Sequence, residues 1–315
     1  MALKVRKAKR GKAYPKIALI APSGGGKTYS ALRLATGMAE EIKNETGKDA
    51  KILMVNTEAA RGIYYADEFD YDIVDLEPPY NPEVFVDAID FAVSEGYDVL
   101  IIDSTSPEWD GPGGCLELQQ KAGGTYQAWG KVTPRHERFI NAMSSSPIVL
   151  IATMRGKDQY EVEKDDRGKT SVKKIGAGAK QRDGFEYEFT CTFMIDQKTS
   201  TAEAQKDNTH IFENDPPQKL TEAHGRKIIK WANITGDEPT ETAKFGQVVA
   251  EATGANLPDI KKEIVQLCKD LGGTKNKDMM AEIKKYVPSG NPNGLKDEKE
   301  AMELLKTLKT MKPVE

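Results

Sequence analysis

Three stretches of this sequence end in side chains suited to phosphoryl chemistry. The first, Ala21-Pro22-Ser23-Gly24-Gly25-Gly26-Lys27-Thr28, lies between the apolar run Ile17-Ala18-Leu19-Ile20 and a helix-competent run from Tyr29 to Glu41. Strand, glycine-rich turn and helix in that order make a phosphate loop, whose backbone N–H groups wrap a polyphosphate at a helix N-terminus. Ser23, Gly24, Gly25 and Gly26 would form the cradle. Lys27 would reach the β- and γ-phosphates, the Thr28 hydroxyl would ligate Mg²⁺, and Tyr29 follows at the helix start. Ala21 stands where the usual pattern has glycine, a position that mainly needs a small residue. The second stretch, Val99-Leu-Ile-Ile-Asp103, is four apolar residues ending in an aspartate, the form of a strand whose Asp holds the metal. Ser104-Thr105-Ser106 follow it, with no glutamate to polarise an attacking water. The third, Lys51-Ile-Leu-Met-Val55, runs into Asn56-Thr57-Glu58 and offers Glu58 for that role, the alternative being a surface carboxylate at a strand end.

These residues need a scaffold that brings strand ends together. Strands alternating with helices imply a parallel sheet with ligands beyond the carboxyl ends of the strands. The helix from about residue 28 to 44 places Ala31, Leu32, Leu34, Ala35 and Met38 near one face and breaks at Gly47. Residues 71–76 read as a short strand, and 82–95 as a helix with proline in its first turn. The chain has 315 residues, 38% hydrophobic and 30% charged, with formal net charge −4. That allows one substantial α/β core plus a smaller unit, and gives no global attraction to nucleic acid. Cys115, Cys191 and Cys268 lie far apart and there are three histidines, which argues against a disulfide framework or a zinc site. No apolar run approaches the ~20 residues of a membrane span. The start carries Lys4, Arg6, Lys7, Lys9, Arg10 and Lys12 without acidic residues or a signal-like apolar region. It reads as a basic arm, a solvated tail or a binding element, on a cytoplasmic protein.

Further on, Trp109 and Tyr126 to Trp129 stand among glycines, where aromatics either stack bases or anchor loops. A helix is expected from Thr133-Pro134 to about Met143, then a strand Ile148–Ala152 ending in Thr153-Met154-Arg155. Residues 159–164 and 169–174 alternate around Asp165-Asp-Arg-Gly168 as a hairpin, and Gly176-Ala-Gly178 is expected to be mobile. Arg167, Lys169, Lys173, Lys174, Lys180 and Arg182 form a run without an acidic residue, the local bias that phosphate-backbone binding requires, or else a solvated basic hairpin. Residues 186–195 alternate as a strand, 201–212 suggest a strand pair or hairpin, and Thr221 to Trp231 reads as a capped helix. After a polar linker, three amphipathic helical segments follow with breaks at Gly272-Gly273 and residues 288–294.

The phosphate loop, the strand ending Asn-Thr-Glu and the strand ending Ile-Ile-Asp-Ser resemble the RecA-like ATPases. With Gln181 to Phe189, Lys-Asp-x-Thr and Leu-Thr-Glu-x-His-Gly, residues 14–235 are similar to phage-encoded RecA-like nucleotide-binding proteins, which include single-strand annealing recombinases. The resemblance implies that a tyrosine seven residues beyond Glu58, Tyr65 or its neighbour Tyr64, stacks on adenine, and that Thr153 senses the γ-phosphate. It implies that the basic hairpin, with Arg155 at its root, is a DNA-binding loop. It also implies a Lys that crosses to a neighbouring subunit's γ-phosphate, for which Lys206 is the candidate, the alternative being an ordinary turn lysine.

The expectation is therefore a RecA-like P-loop NTPase core with a parallel central sheet and a small all-α C-terminal unit: arm 1–13, core 14–235, linker 236–256, helical domain 257–315. ATP and Mg²⁺ are the expected ligands, with Lys27, Glu58 and Lys206 in catalysis. Single-stranded DNA and further copies of the chain, in a ring or filament, are the expected partners. The C-terminal unit serves packing, DNA holding or docking of a single-strand-binding protein. The expected activity is ATP-dependent DNA recombination by annealing or strand pairing. The rivals are a helicase or translocase, a small-molecule kinase or DNA-independent nucleotide-gated regulator, and an annealing scaffold that hardly turns over.

Overall fold

A computed structural model describes residues 7–164, 170–237, 257–287, 289–295 and 298–311, with the backbone alone between 158 and 177. The chain divides into two units, 1–250 and 251–315.

In the first unit the phosphate-loop strand β1 (Lys16–Ala21) is followed by α1 (Lys27–Thr46), β2 (Ile52–Asn56), β3 (Asp72–Asp75), α2 (Pro82–Ser94) and β4 (Val99–Asp103). Two short helices, α3 (Ser106–Asp110) and α4 (Cys115–Lys121), precede α5 (Trp129–Ser145). Then come β5 (Val149–Lys164), β6 (Thr170–Ala179), β7 (Cys191–Ile195), β8 (Ala202–Asp207) and α6 (Glu222–Ala232). The strand order is β3-β2-β4-β5-β1-β7-β8, with β6 paired to β5. Pairings among β1–β5 and β7 are parallel, whereas β8 is antiparallel to β7 and β6 to β5.

The central strands read as continuous apolar runs because helices cover both faces. Ile17 and Leu19 pack with Leu34, Met38, Ile228 and Ile229 on one side. Ala18 and Ile20 pack with Phe85, Phe139 and Phe185 on the other. Helices α1 and α6 approach closely through two glycines: a Cβ on Gly37 would lie 2.0 Å from the Glu222 carbonyl oxygen, and one on Gly225 2.1 Å from that of Leu34. Gly47, at φ 73°, ends α1; Asn81 caps α2 by accepting from Val84 N, with Pro82 at its start.

Several expectations are corrected here. Helix α5 starts at Trp129 and runs through Pro134; the bond the proline cannot make belongs to the first turn, where Gly130 is exposed to water. Strand β5 does not stop at the sheet edge but continues to Lys164, and Gly176-Ala177-Gly178 belong to β6, paired with Gln159, Asp158 and Lys157. Residues 185–188 form a 3-10 turn that buries Phe185, so β7 begins only at Cys191. The 201–212 region supplies the single strand β8. The arm is docked from Arg10 onward: its guanidinium lies 5.0 Å over the Trp231 ring, and Ala13 N donates to Ala232 O. Residues 1–6 and 238–256, and with them most of the linker, lie outside the described residues.

The second unit contains α7 (Leu257–Asp270), α8 (Lys277–Tyr286) and α9 (Glu298–Lys309). Its core is built from Ile260, Ile264, Met279, Ile283, Leu304 and Leu308, and Asn276 caps α8 by accepting from Met279 N. No helix among the described residues is long and apolar enough to cross a membrane.

Candidate nucleotide site

The carboxyl ends of β1, β2 and β4 form one edge, which β5 crosses at Arg155: Asn56 is level with Asp103, and Ala21 with Arg155. The turn after β1 holds Gly24 at φ 79° and Gly26 at φ 86°. A Cβ on Gly25 would fall 2.8 Å from that of Ala21 and 3.2 Å from the Pro22 carbonyl oxygen. Only glycine suits this turn, and nothing lies within 4 Å of a Cβ at Gly24, which leaves the loop's outer surface open. Ser23 and Gly24 are exposed. Lys27 folds over the loop, donating to the carbonyls of Ala21 (3.0 Å) and Pro22 (3.1 Å). Burial pushes its ammonium pKa down, while Asp103 and Glu58 oppose the shift.

Asp103 is buried and held by two threonines. Thr28 Oγ1 donates to Oδ2 at 2.6 Å and Thr153 Oγ1 to Oδ1 at 2.5 Å. Burial raises the Asp103 pKa, the two hydroxyls lower it, and Glu58 raises it further. A hydroxyl and a carboxylate so paired are a hard-oxygen donor set of the kind Mg²⁺ takes, and the glycine cradle beside them fits a polyphosphate. Thr153 corrects the expectation placed on it. It is fully buried and its one hydroxyl proton is committed to Asp103, so in this structure it holds that carboxylate and does not present a free donor to a γ-phosphate.

Each residue of Asn56-Thr57-Glu58 has its own task. The Asn56 amide donates to Asp75 Oδ1, and its oxygen accepts from Glu58 N at 2.9 Å, fixing the turn out of β2. Thr57 bonds Ser104, the residue that follows β4. Glu58 Oε1 receives Arg155 through Nη2 (2.7 Å) and Nε (3.1 Å). Arg61 stands 3.7 Å from Glu58 Oε2. Arg155, expected to touch nucleic acid, is thus turned to the candidate catalytic glutamate.

Tyr29 and Tyr65 are brought together edge to face, with ring centroids 5.3 Å apart, and Phe69 lies 5.4 Å from Tyr29. This places Tyr65 beside the residue that follows the phosphate loop, while Tyr64 is 69% exposed. A contact missed in the sequence is Gln197, after β7, whose Nε2 donates to Ser23 O at 2.8 Å; its only signal is its place at the carboxyl end of a strand beside β1.

Lys206, the candidate for reaching a neighbouring subunit's γ-phosphate, makes its contacts within its own chain. It sits on β8 opposite Thr192, and its ammonium donates to the carbonyls of Tyr187 and Phe189. Lys180 pairs with Asp110 at 2.5 Å, and Arg182 N donates to the Gln181 side chain. Arg167 and Lys169 lie outside the described residues, and Lys173 and Lys174 are placed by backbone alone, on β6. Trp109 and Trp129 stack at 5.4 Å and 12°, which favours loop anchoring for these two aromatics; Tyr126 is 88% exposed. Beneath them, buried Glu108 accepts from Cys115 Sγ (3.1 Å), His136 Nδ1 (2.9 Å) and Gln181 Nε2 (3.1 Å). Burial pushes the Cys115 thiol up, so it stays a donor. The group ties Gln181, which follows β6, to α3, and leaves His136 Nε2 buried without a hydrogen-bond partner. Sequence spacing gave no hint of it.

None of the curated proteins matches this chain at a significant level. Residues 13–226, more than half of the chain, match the AAA domain family across the phosphate loop, Glu58, Asp103 and Thr153. With a mostly parallel α/β sheet carrying a phosphate loop, the chain belongs to the AAA domain family of P-loop nucleotide-binding proteins.

Proposed function

We propose that this protein is an ATPase acting in DNA recombination, which binds single-stranded DNA on the β5–β6 hairpin and promotes annealing or strand pairing as a homo-oligomer. The observation that carries the reading is the continuity of β5. One strand holds Thr153 on Asp103, Arg155 on Glu58, and then the outer hairpin up to Lys164. The return strand is tied in as well, since Gln181 Nε2 donates to Thr105 O and to Glu108. Nucleotide state and hairpin position are therefore expected to depend on each other, and Lys173 and Lys174 on β6 support a phosphate-backbone partner.

ATP and Mg²⁺ fit the residues present. Ser23 to Gly26 would bind the phosphates, Thr28 and Asp103 would hold the metal, and Tyr65 beside Tyr29 offers a ring to the base. Mg²⁺ supplies neutralisation of charge on the β- and γ-phosphate oxygens when bound. Lys27 would leave the carbonyls of Ala21 and Pro22 for the phosphates. Glu58 would orient the attacking water and take its proton as the oxygen bonds to the γ-phosphorus and the bond to the bridging oxygen breaks, releasing ADP. Preorganised charge is the main contribution of such sites.

The test is ATP hydrolysis with and without single-stranded DNA at two salt concentrations, with a Lys169→Ala, Lys173→Ala, Lys174→Ala variant beside the wild type. DNA stimulation that both high salt and the triple change remove is the expected result. Turnover indifferent to DNA overturns the recombination reading in favour of a nucleotide-gated regulator.

A further inference from the structure

We propose that Arg155 is a catalytic residue that reads the terminal phosphoryl group of a bound triphosphate from within the same chain, sharing its guanidinium between that group and Glu58. The inference rests on the nucleotide-site reading above and names a second cation, besides Lys27, for the terminal phosphoryl group.

Position is the first argument. Arg155 is level with Ala21 on the adjoining strand, and its backbone N donates to Ser106 Oγ at 2.9 Å. The next residue, Gly156, is so close to the loop that a Cβ there would lie 3.0 Å from the Ala21 carbonyl carbon and 3.1 Å from Pro22 N. Strand β5 therefore crosses the foot of the phosphate loop and delivers Arg155 there. Lys27 is within electrostatic reach of Asp103, Glu58 and Arg155 together, so the four charges face one region.

Donor geometry is the second. A guanidinium has five N–H groups. Glu58 Oε1 takes one from Nε and one from Nη2. The Arg155 side chain is 41% exposed against 18% for Glu58, so the arginine keeps an open side while its partner is enclosed. An anion beside the loop meets those remaining donors without breaking the pair to Glu58. Such a fork binds phosphate oxygens with geometric specificity.

Elimination is the third. Within the chain, Lys206 is held by the carbonyls of Tyr187 and Phe189 and does not serve its own loop. Arg61 approaches Glu58 only at 3.7 Å and is 66% exposed. ADP lacks the group Arg155 would bind and would leave it on Glu58 alone. Arg155 would thus distinguish the triphosphate from the diphosphate and stabilise charge on the transferring group.

The experiment measures Mg²⁺-dependent binding of ATPγS and of ADP to the full chain, with single-turnover hydrolysis of ATP, for wild type, Arg155→Ala, Arg155→Lys and Arg61→Ala. In Arg155→Ala, ATPγS affinity is expected to fall at least about tenfold with ADP affinity unchanged, which also reports an intact fold. The rate is expected to fall by about 10²-fold or more, Arg155→Lys recovering only part of it. Equal loss for both nucleotides, or loss for neither, overturns the proposal, as does a matching selective loss in Arg61→Ala. A wild type that binds neither nucleotide overturns the underlying site reading instead, and is recognised before any variant is compared.

Discussion

Thr57 and Ser104 exchange a pair of hydrogen bonds across β2 and β4: Ser104 N donates to Thr57 Oγ1 at 2.8 Å, and Thr57 Oγ1 donates to Ser104 O at 3.0 Å. Ser104 is fully buried. One hydroxyl thereby fixes the spacing between the strand ends that carry Glu58 and Asp103.

Thr57→Val should leave the Ser104 amide buried without a partner, at a cost of about 1–3 kcal/mol. Urea unfolding should show the loss, and ATP turnover should fall at saturating nucleotide while nucleotide affinity stays near that of the wild type. Unchanged stability and turnover would mean that Thr57 does not hold these strands.

Thr153→Val removes one of the two hydroxyls that offset the burial of Asp103. The carboxyl should then titrate at higher pH, and because Mg²⁺ needs the ionised form, metal-dependent nucleotide binding should weaken most on the acidic side. Mg²⁺ titrations at pH 6 and 8 check this: the variant's deficit should be larger at pH 6, and equal deficits would speak against it.

Lys16 lies within β1, 3% exposed, with its ammonium donating to Ser146 O, Ser146 Oγ and Ile148 O. Burial lowers its pKa from 10.5 to about 7. Between those values the unfolded chain keeps a proton that the folded chain has released, so stability should rise with pH from about 7 towards 10.5. Below about 7 both forms are protonated and the slope vanishes. The Lys16 contribution is at most about 1.4 kcal/mol per pH unit. Denaturant midpoints across pH 7–10 for wild type and Lys16→Met should differ in slope, the variant being flatter.

Gly37→Ala should force α1 and α6 apart, since its Cβ would meet the Glu222 carbonyl at 2.0 Å. Overpacking of this kind costs about 1–3 kcal/mol or more. Gly130→Ala, in an exposed turn of α5 with nothing within 4 Å of the new Cβ, should instead stabilise by about 0.5–1 kcal/mol. Melting temperatures moving in the same direction would contradict this assignment.

The elements legible in the sequence are those whose signal is local. The phosphate loop is a contiguous pattern, and the strands ending at Asp103 and Glu58 announce themselves as buried parallel strands by uninterrupted apolar runs. Gly47 and Pro82 mark helix ends because their backbone chemistry is local too. The Glu58–Arg155 pair was not legible, since it joins strands 97 residues apart in sequence and Arg155 stands at the root of a basic segment that invites another reading. The alternation of 159–164 suggested a separate hairpin, because nothing local says that a core strand continues outward. Residues 186–190 alternate as a strand would, yet a bulky Phe185 in the core and Gly184 at φ 90° turn the chain there. Lys206 fitted a motif, and only the register of β8 on β7 shows which carbonyls hold it.

The uninterrupted course of β5 has a mechanical side. At about 3.3 Å per residue, the part beyond Gly156 reaches roughly 25 Å by Lys164. A tilt of about 10° at the phosphate-loop end would carry the far end through about 4–5 Å over that length, more than the reach of a hydrogen bond. The segment has the geometry of a pointer: a displacement too small to see at Arg155 becomes several ångströms at Lys164.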